Sequence, residues 1–525
     1  MHCTCVRHAD LPNTSRIYSD LTSHFDRVAD LYPFPTNSLD AIRSAAKFDF
    51  PADRRQAAVE ALRPFNAGNP SLDLLAQPGT VAIITGQQAG LFSGPVYTIY
   101  KALTAIRIAS DLNAAGVPAV PMFWLATEDH DFEEVDHGFA FGPDHKPVRM
   151  ALEADGGSSP RPVGARTILS APIEELRKVL AGLPFAEEAV ELAANAYAPG
   201  ETLGSACIRL LRQLFSKWNL LFIDPMHPAI RAHAAPILRE AVNRMPSLIN
   251  RVMDRSADLL QRGYHAQVLA DNQTSLVFAL RDGERIALRR TPEGFTGAGR
   301  KWTAAELADT ADQLSPNALL RPVVQDYMFP TAAYVGGAAE LAYLAQSGVL
   351  YDNLLGRQPV AFPRAGFTVI DERASKRMAK YRLSFTDLLC PERELRETMA
   401  TRLVPPALSQ RLTSTQSAVS SALDALDKDL VRFDVSQSKA LATSRRKIEY
   451  QMSKVVRKTG MQILAKSEEA NRDAVSLSGL VFPDGHLQER VYSVLPFLAS
   501  FGPDFVDEIY QHVRVECPDH QFAVV

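Results

Sequence analysis

One stretch, residues 81–134, limits the folds open to this chain: VAIITGQQAGLFSGPVYTIYKALTAIRIASDLNAAGVPAVPMFWLATEDHDFEE. Its first apolar run, Val81–Ile84, is short and β-branched and stops at Thr85-Gly86. That is the pattern of a strand buried on both faces in a parallel sheet. Pro95 then opens a helix in which Tyr100, Leu103, Ile106 and Ile108 keep roughly helical spacing, and Gly116-Val117-Pro118 stops it. A second apolar run, Val120–Ala126, leads into a dense acidic segment. Two polar clusters thus follow two successive strands. In an open parallel sheet such strand ends gather along one edge, where ligands bind.

The same alternation returns downstream. Leu220–Ile223 reads as a third buried strand, ending at Asp224. The sheet is expected to resume at Arg321. Ala333–Val335, Gly336-Gly337 and Ala338–Gln346 then repeat strand, glycine turn and helix, and Pro359–Pro363 and Phe367–Ile370 read as closing strands. Two segments interrupt this plan. Residues 137–200 turn to short runs punctuated by Gly and Pro, and Gln267–Arg290 alternates around Asp282-Gly283, a hairpin signal. Pro236–Leu260 reads as one helical stretch with Pro236 in its first turn. From Pro405 onward, Leu408, Leu412, Thr415, Val419, Ala422 and Leu426 step by threes and fours, as do Leu441, Arg445, Ile448, Met452, Val455 and Thr459. Two such seams with a turn near Asp434 predict an antiparallel coiled-coil hairpin roughly 40 Å long.

Bulk properties narrow the function classes. With 525 residues, the chain has room for roughly two to four domains. A net charge of −4 gives no basic field for nucleic acid or an anionic membrane. No apolar run approaches the ~20 residues of a membrane helix. The N-terminus lacks the apolar core of a secretory signal. Five scattered cysteines fit a reduced, cytoplasmic setting, and Cys3 and Cys5 lack the second pair a zinc site needs.

Three groups of residues can carry chemistry. Thr85-Gly86-Gln87-Gln88-Ala89-Gly90 combines glycines, which let a ligand come close, with two amides that donate and accept; an ordinary strand-to-helix connection is the plainer reading. Glu128, Asp129, His130 and Asp131, followed by Glu133, Glu134, Asp136 and His137, could recognise an amine, supply a base or bind a divalent cation. The spacing is not that of a zinc helix, and no protein-held metal is expected. His130, Asp131 and Gln88 are the catalytic candidates. Gly336, Gly337 and Glu340 form the third group, at a helix start suited to an anion. Tyr97, Asn317, Arg321 and Arg364 complete the candidate binding residues.

Long segments also resemble a known family. TGQQAGLFSGPVYTIYKALTAI, FWLATEDHDFEEVDH, GYHAQV, SPNALLRPVVQDYMFPTAAYVGGAAELAY, RRKIEYQ and LQERVYSVLPFLASFGPDF are similar, in order, to the cysteine-adding enzymes of bacillithiol biosynthesis, and they span nearly the whole chain. The resemblance implies an α/β fold: a Rossmann-like nucleotidyltransferase core with two inserted connective segments and an α-helical coiled-coil hairpin. The corresponding division is an N-terminal helical segment at 1–75, the first half of the core at 76–136, and a β-rich insertion at 137–200. Core strand and helices follow at 201–262, then a hairpin-containing insertion at 263–314 and the second half of the core at 315–390. The coiled-coil hairpin takes 391–475, and a segment packing on the core takes 476–525.

The implied reaction is a ligation: cysteine joins through its carboxyl group to the amine of glucosaminyl malate, forming an amide. ATP is the expected activator of the carboxyl, with Mg2+ carried by the nucleotide; adenylate and acyl-phosphate both stay open. Arg321 or Arg364 would hold the malyl carboxylate. Class I nucleotidyltransferases carry a histidine motif after the first strand, and here Phe92 and Pro95 stand at those places. Outward seam residues of the coiled-coil hairpin are expected to form a homodimer interface. A dimeric nucleotide-binding scaffold without ligase activity is the competing reading.

Overall fold

A computed structural model describes residues 2–157, 159–517 and 519–525. The chain forms two compact units. One comprises Met1–Pro143, Val148–Thr368 and Glu489–Ala523; the other comprises Asp144–Pro147, Val369–Gln488 and Val524–Val525.

The larger unit is built on a five-stranded parallel sheet in the order Val360–Pro363, Thr331–Gly336, Val81–Gln88, Ala119–Ala126, Leu221–Ile223. Chain order therefore runs outward from Val81–Gln88 in one direction and then returns beside it in the other. This is the Rossmann-like reversal, and the crevice lies where the order switches, between Val81–Gln88 and Thr331–Gly336. Alternate side chains serve opposite cores. Ala82, Ile84, Val120, Met122 and Trp124 face one, with Tyr334; Val81, Ile83, Ala333, Val335 and Phe362 face the other.

Several sequence expectations change in detail. The first strand does not stop at Ile84 but continues to Gln88, because Gly86, Gln87 and Gln88 pair with Trp124, Leu125 and Ala126. The helix after it starts at Tyr97, not Pro95. Arg321 opens a helix, Arg321–Met328, with Pro322 in its first turn, and the sheet resumes only at Thr331. Gly366–Ile370 leaves the parallel sheet and joins His2–Val6 and His520–Val524 in another. Pro236 sits inside the Pro228–Asn243 helix rather than at its start, since Pro228 already supplies the first-turn proline; a second helix, Met245–Gln261, follows.

The expected hairpin at Asp282-Gly283 joins Thr274–Arg281 to Glu284–Thr291. It belongs to a five-stranded antiparallel sheet with Gly294–Gly297, Arg300–Trp302 and Leu314–Pro316.

The smaller unit is helical. Pro406–Phe433 and Val435–Ala465 form the expected hairpin around Asp434, whose side chain accepts the Ser436 N–H and caps the second helix. Arg445 pairs with Asp424 across it. Glu392–Arg402 packs closely on the second helix: a Cβ at Gly460 would lie 2.5 Å from the Ala400 carbonyl oxygen. Leu408, Leu426, Ile448 and Val455 of the seams remain exposed.

Candidate active site

A cavity of about 1180 Å3 opens at the carboxyl edge of the parallel sheet, at the switch point. Gly86, Gln87 and Gln88 line it from the first strand, Trp124, Ala126 and the acidic segment from the second, and Tyr334 from the strand across the switch. Tyr97, Glu128, Asp129, His130, Asp131, Asn317, Arg321, Gly337, Glu340 and Arg364 also reach it. Three expected residues do not. Thr85 is buried and gives its hydroxyl proton to the Val335 carbonyl at 2.8 Å. A Cβ at Gly336 would lie only 3.0–3.1 Å from Leu341, Glu340 and Tyr334, and Gly90 lines an adjoining chamber.

Side chains absent from the sequence-based set organise the site. Lys101, 2% exposed, donates to the Gly86 carbonyl at 2.9 Å and to Gln87 Oε1 at 2.9 Å, and it pairs with Glu340. Glu340 also accepts from Tyr334 Oη at 2.7 Å and from the Gly337 N–H at 2.9 Å. Burial pushes the Glu340 carboxyl up, but Lys101 and the Gly337 N–H more than offset this and hold it below the usual carboxylate range. Burial lowers Lys101 against the pull of Glu340. The Gly337 N–H is therefore already satisfied by the protein's own carboxylate.

The acidic segment is tied together in the same way. Gln88 Nε2 donates to Asp129 Oδ2 at 2.8 Å and to Glu134 Oε2 at 2.9 Å. Arg285, on the inserted hairpin and 8% exposed, donates through Nη1 to Asp129 Oδ1 at 3.1 Å and to His130 Nδ1 at 3.0 Å. Its other N–H groups go to Ser315 Oγ and the Pro316 carbonyl, and Phe278 lies under its guanidinium at 3.8 Å. An arginine can only donate, so His130 Nδ1 is the acceptor and Nε2 carries the imidazole proton. Burial and the Arg285 cation lower the His130 pKa. His130 thus presents a neutral N–H donor. Burial raises Glu128, 5% exposed, which lies near Arg285, Arg231 and Arg321.

The positive side of the cavity is assembled differently. Arg321 Nη2 donates to the phenol oxygens of Tyr334 at 2.9 Å and Tyr343 at 3.1 Å, so its charge meets hydroxyls instead of a carboxylate. Arg490 makes no ion pair among the described residues. Arg364 spends its fork on Glu489, at 2.9 and 2.5 Å. Asn317 lines the wall, but its Oδ1 accepts the Leu319 and Leu320 N–H groups. Trp124 Nε1 is buried without a hydrogen-bond partner among the described residues, a donor on the cavity wall that the protein does not use.

At the places of the class I histidines, Phe92 is fully buried with left-handed φ of 55° and edge-on to Tyr197, and Pro95 lines the adjoining chamber. Among the described residues, no group of three or more His, Cys, Asp or Glu is placed to hold a metal ion. Cys5 Sγ lies 3.9 Å from Cys517 Sγ, away from this cavity. No helix among the described residues is long and apolar enough to cross a membrane.

A switch-point cavity lined by acidic and cationic side chains on the Rossmann-like unit, in a chain whose other unit is a helical hairpin, defines an α/β protein of the Rossmann-like class. Comparison with known proteins makes this specific. Residues 1–365 match the family described as Bacillithiol biosynthesis BshC, N-terminal Rossmann-like domain, and residues 367–525 match its C-terminal coiled-coil domain. The chain belongs to this family. A protein of Solibacter usitatus named "Putative cysteine ligase BshC" is 48% identical over 100% of both chains. Proteins of the same name from Koribacter versatilis and Salinibacter ruber are 32% and 30% identical, covering 98% and 97% of this chain and 98% and 96% of their own.

Proposed function

We propose that this protein is a ligase that joins the carboxyl group of cysteine to the amine of glucosaminyl malate, the last step of bacillithiol biosynthesis. One observation carries the reading beyond family membership. The cavity is lined both by carboxylates of Glu128–Glu134 and by Arg321 and Arg490, which form no ion pair with a carboxylate among the described residues. That mix suits a substrate that carries both an amine and carboxylates. A volume of about 1180 Å3 also exceeds that of a typical single-ligand pocket.

A free carboxylate is a poor electrophile, so the reaction needs an activator, and ATP with Mg2+ is the proposed one. It would supply the leaving group on the cysteine carboxyl. Arg321 is the residue suited to its phosphates or to the malyl carboxylate, and the unpaired Trp124 N–H to another acceptor. The protein's own groups then position and deprotonate. Asp131, an exposed carboxylate on the cavity wall, takes the proton of the attacking amine. His130 donates through Nε2 to an oxygen of substrate. Gln88 holds Asp129 and Glu134 in place. The exposed seam residues of the hairpin are read as a homodimer contact, and the setting as cytoplasmic.

The test is a mass-spectrometric assay of purified protein with cysteine, glucosaminyl malate, Mg2+ and ATP. Bacillithiol with AMP would mean adenylyl activation, and product with ADP a phosphoryl one. No product from folded protein and intact substrates would overturn the ligase reading.

A further inference from the structure

A second chamber, of about 300 Å3, adjoins the main cavity and shares Gln87, Gln88, Tyr97, Glu134 and Arg490 with it. Its size is at the bottom of the range for small-molecule sites, enough for an amino acid and too little for a nucleotide or an amino-sugar conjugate. The shared rim carries both signs. Among the described residues, Arg490 has no ion pair, and the Glu134 carboxylate accepts from the Gln88 amide. This is the polarity a zwitterion needs.

Away from the rim the wall changes character. Gly90, Gly94, Pro95, Val135 and Phe139 leave a narrow, mainly apolar space beside His137. Within it lies Ser493, 1% exposed, whose Oγ is buried without a hydrogen-bond partner among the described residues. Leaving such a hydroxyl unpaired is costly. A thiol is small, largely apolar, and both a weak donor and a weak acceptor. It satisfies this wall where a longer or charged side chain does not fit.

We propose that this chamber is the cysteine subsite. The thiol sits at Ser493, the ammonium at Glu134, and the carboxyl at Arg490, at the mouth that opens on the main cavity. The carboxyl to be activated thereby faces the second substrate while the thiol, the stronger nucleophile, is kept away from it. The assignment rests on the ligase reading and adds to it where cysteine binds and why cysteine is chosen.

Gly90 provides the handle for a test. Its φ of −119° suits any residue, and a Cβ there would lie 3.6–3.7 Å from Gly94 and Val135, an ordinary contact on the chamber wall. Calorimetric titration of the full-length protein with L-cysteine and with its isostere L-2-aminobutyrate, in magnesium and a non-hydrolysable ATP analogue, reads the site directly. Gly90→Val is expected to weaken cysteine binding tenfold or more, with Gly90→Ala as the milder variant. Ser493→Ala is expected to weaken it two- to fivefold and to remove the preference over aminobutyrate. Glucosaminyl malate affinity should be unchanged in all three. Cysteine binding by the parent that these variants leave untouched would overturn the subsite and spare the ligase reading. A parent protein that neither binds nor consumes cysteine would overturn both.

Discussion

Arg285 Nη1 lies 3.0 Å from His130 Nδ1, and this one contact decides what the imidazole can do. The acceptor lone pair of Nδ1 is occupied and the proton sits on Nε2, which serves as a donor. Burial and the same guanidinium lower the His130 pKa, so the ring is neutral from its ordinary value near 6.5 upward and protonates only as pH falls below that. Because the folded value is depressed, its contribution to stability is full above about pH 6.5 and fades as pH falls through the folded value.

A donor and a base respond differently to substitution. His130→Gln keeps an N–H near the Nε2 position, so it should retain roughly a tenth or more of kcat, while His130→Ala should lose about a hundredfold. Arg285→Gln should raise the imidazole pKa, read by NMR titration of the ring protons. Equal loss in the two His130 variants, with an acidic limb in the pH profile that tracks the ring, would assign His130 the role of base instead.

Lys101 and Glu340 face each other inside the unit, and their pairing holds both the Gln87 amide and the Gly337 turn. Removing one partner strands a buried charge. Lys101→Met should cost about 3 kcal/mol, the low end for a buried pair because Glu340 also borders the cavity. Lys101→Met with Glu340→Leu should recover part of that loss in urea titrations at pH 7. The Glu340 value is held below the carboxylate range, so its share is full above about pH 4.5 and is lost only as pH falls through the folded value. Additive losses would mean that the two residues are not coupled.

How much of this was legible in the sequence follows from what each interaction depends on. Val81–Ile84 and Val120–Ala126 announced themselves because a strand buried on both faces must be apolar along its length. The acidic segment was placed at the sheet's ligand edge by that same pattern. Arg285 was not, because it reaches His130 from a hairpin 155 residues away, and its own neighbours read as an ordinary alternating strand. Lys101 lies outside the apolar stripe read for its helix, yet the helix is buried almost all round. Arg364 was expected to await a substrate carboxylate, but Glu489, 125 residues on, already fills its fork. Pairings of this kind leave no local periodicity to read.

Arg321 tests the cationic wall. Its fork meets two phenols, so Arg321→Lys keeps the charge but cannot serve Tyr334 and Tyr343 together. Binding of glucosaminyl malate, or of ATP, should weaken at least tenfold by calorimetry, with far-UV circular dichroism unchanged. Unaltered affinity for both ligands would remove Arg321 from the site.

Two glycines of the cavity wall should differ sharply for a reason visible in the backbone. A Cβ at Gly86 would lie 2.6 Å from the Trp124 carbonyl oxygen and 3.0 Å from its Cβ, between two paired strands that cannot separate without losing their ladder. At Gly337 the nearest atoms are Glu340 Oε2 at 3.5 Å and Arg364 Nε at 3.8 Å, ordinary contacts, and its φ of −81° suits alanine. Gly86→Ala should therefore destabilise by about 2 kcal/mol or more, the scale of overpacking in a closed core, while Gly337→Ala should stay within about 0.5 kcal/mol of the parent. The first loss is one of fold, visible as a lower melting temperature before any ligand is added. If Gly86→Ala melted like the parent and only its ligand affinity fell, the glycine would be there for close approach of substrate and not for strand packing.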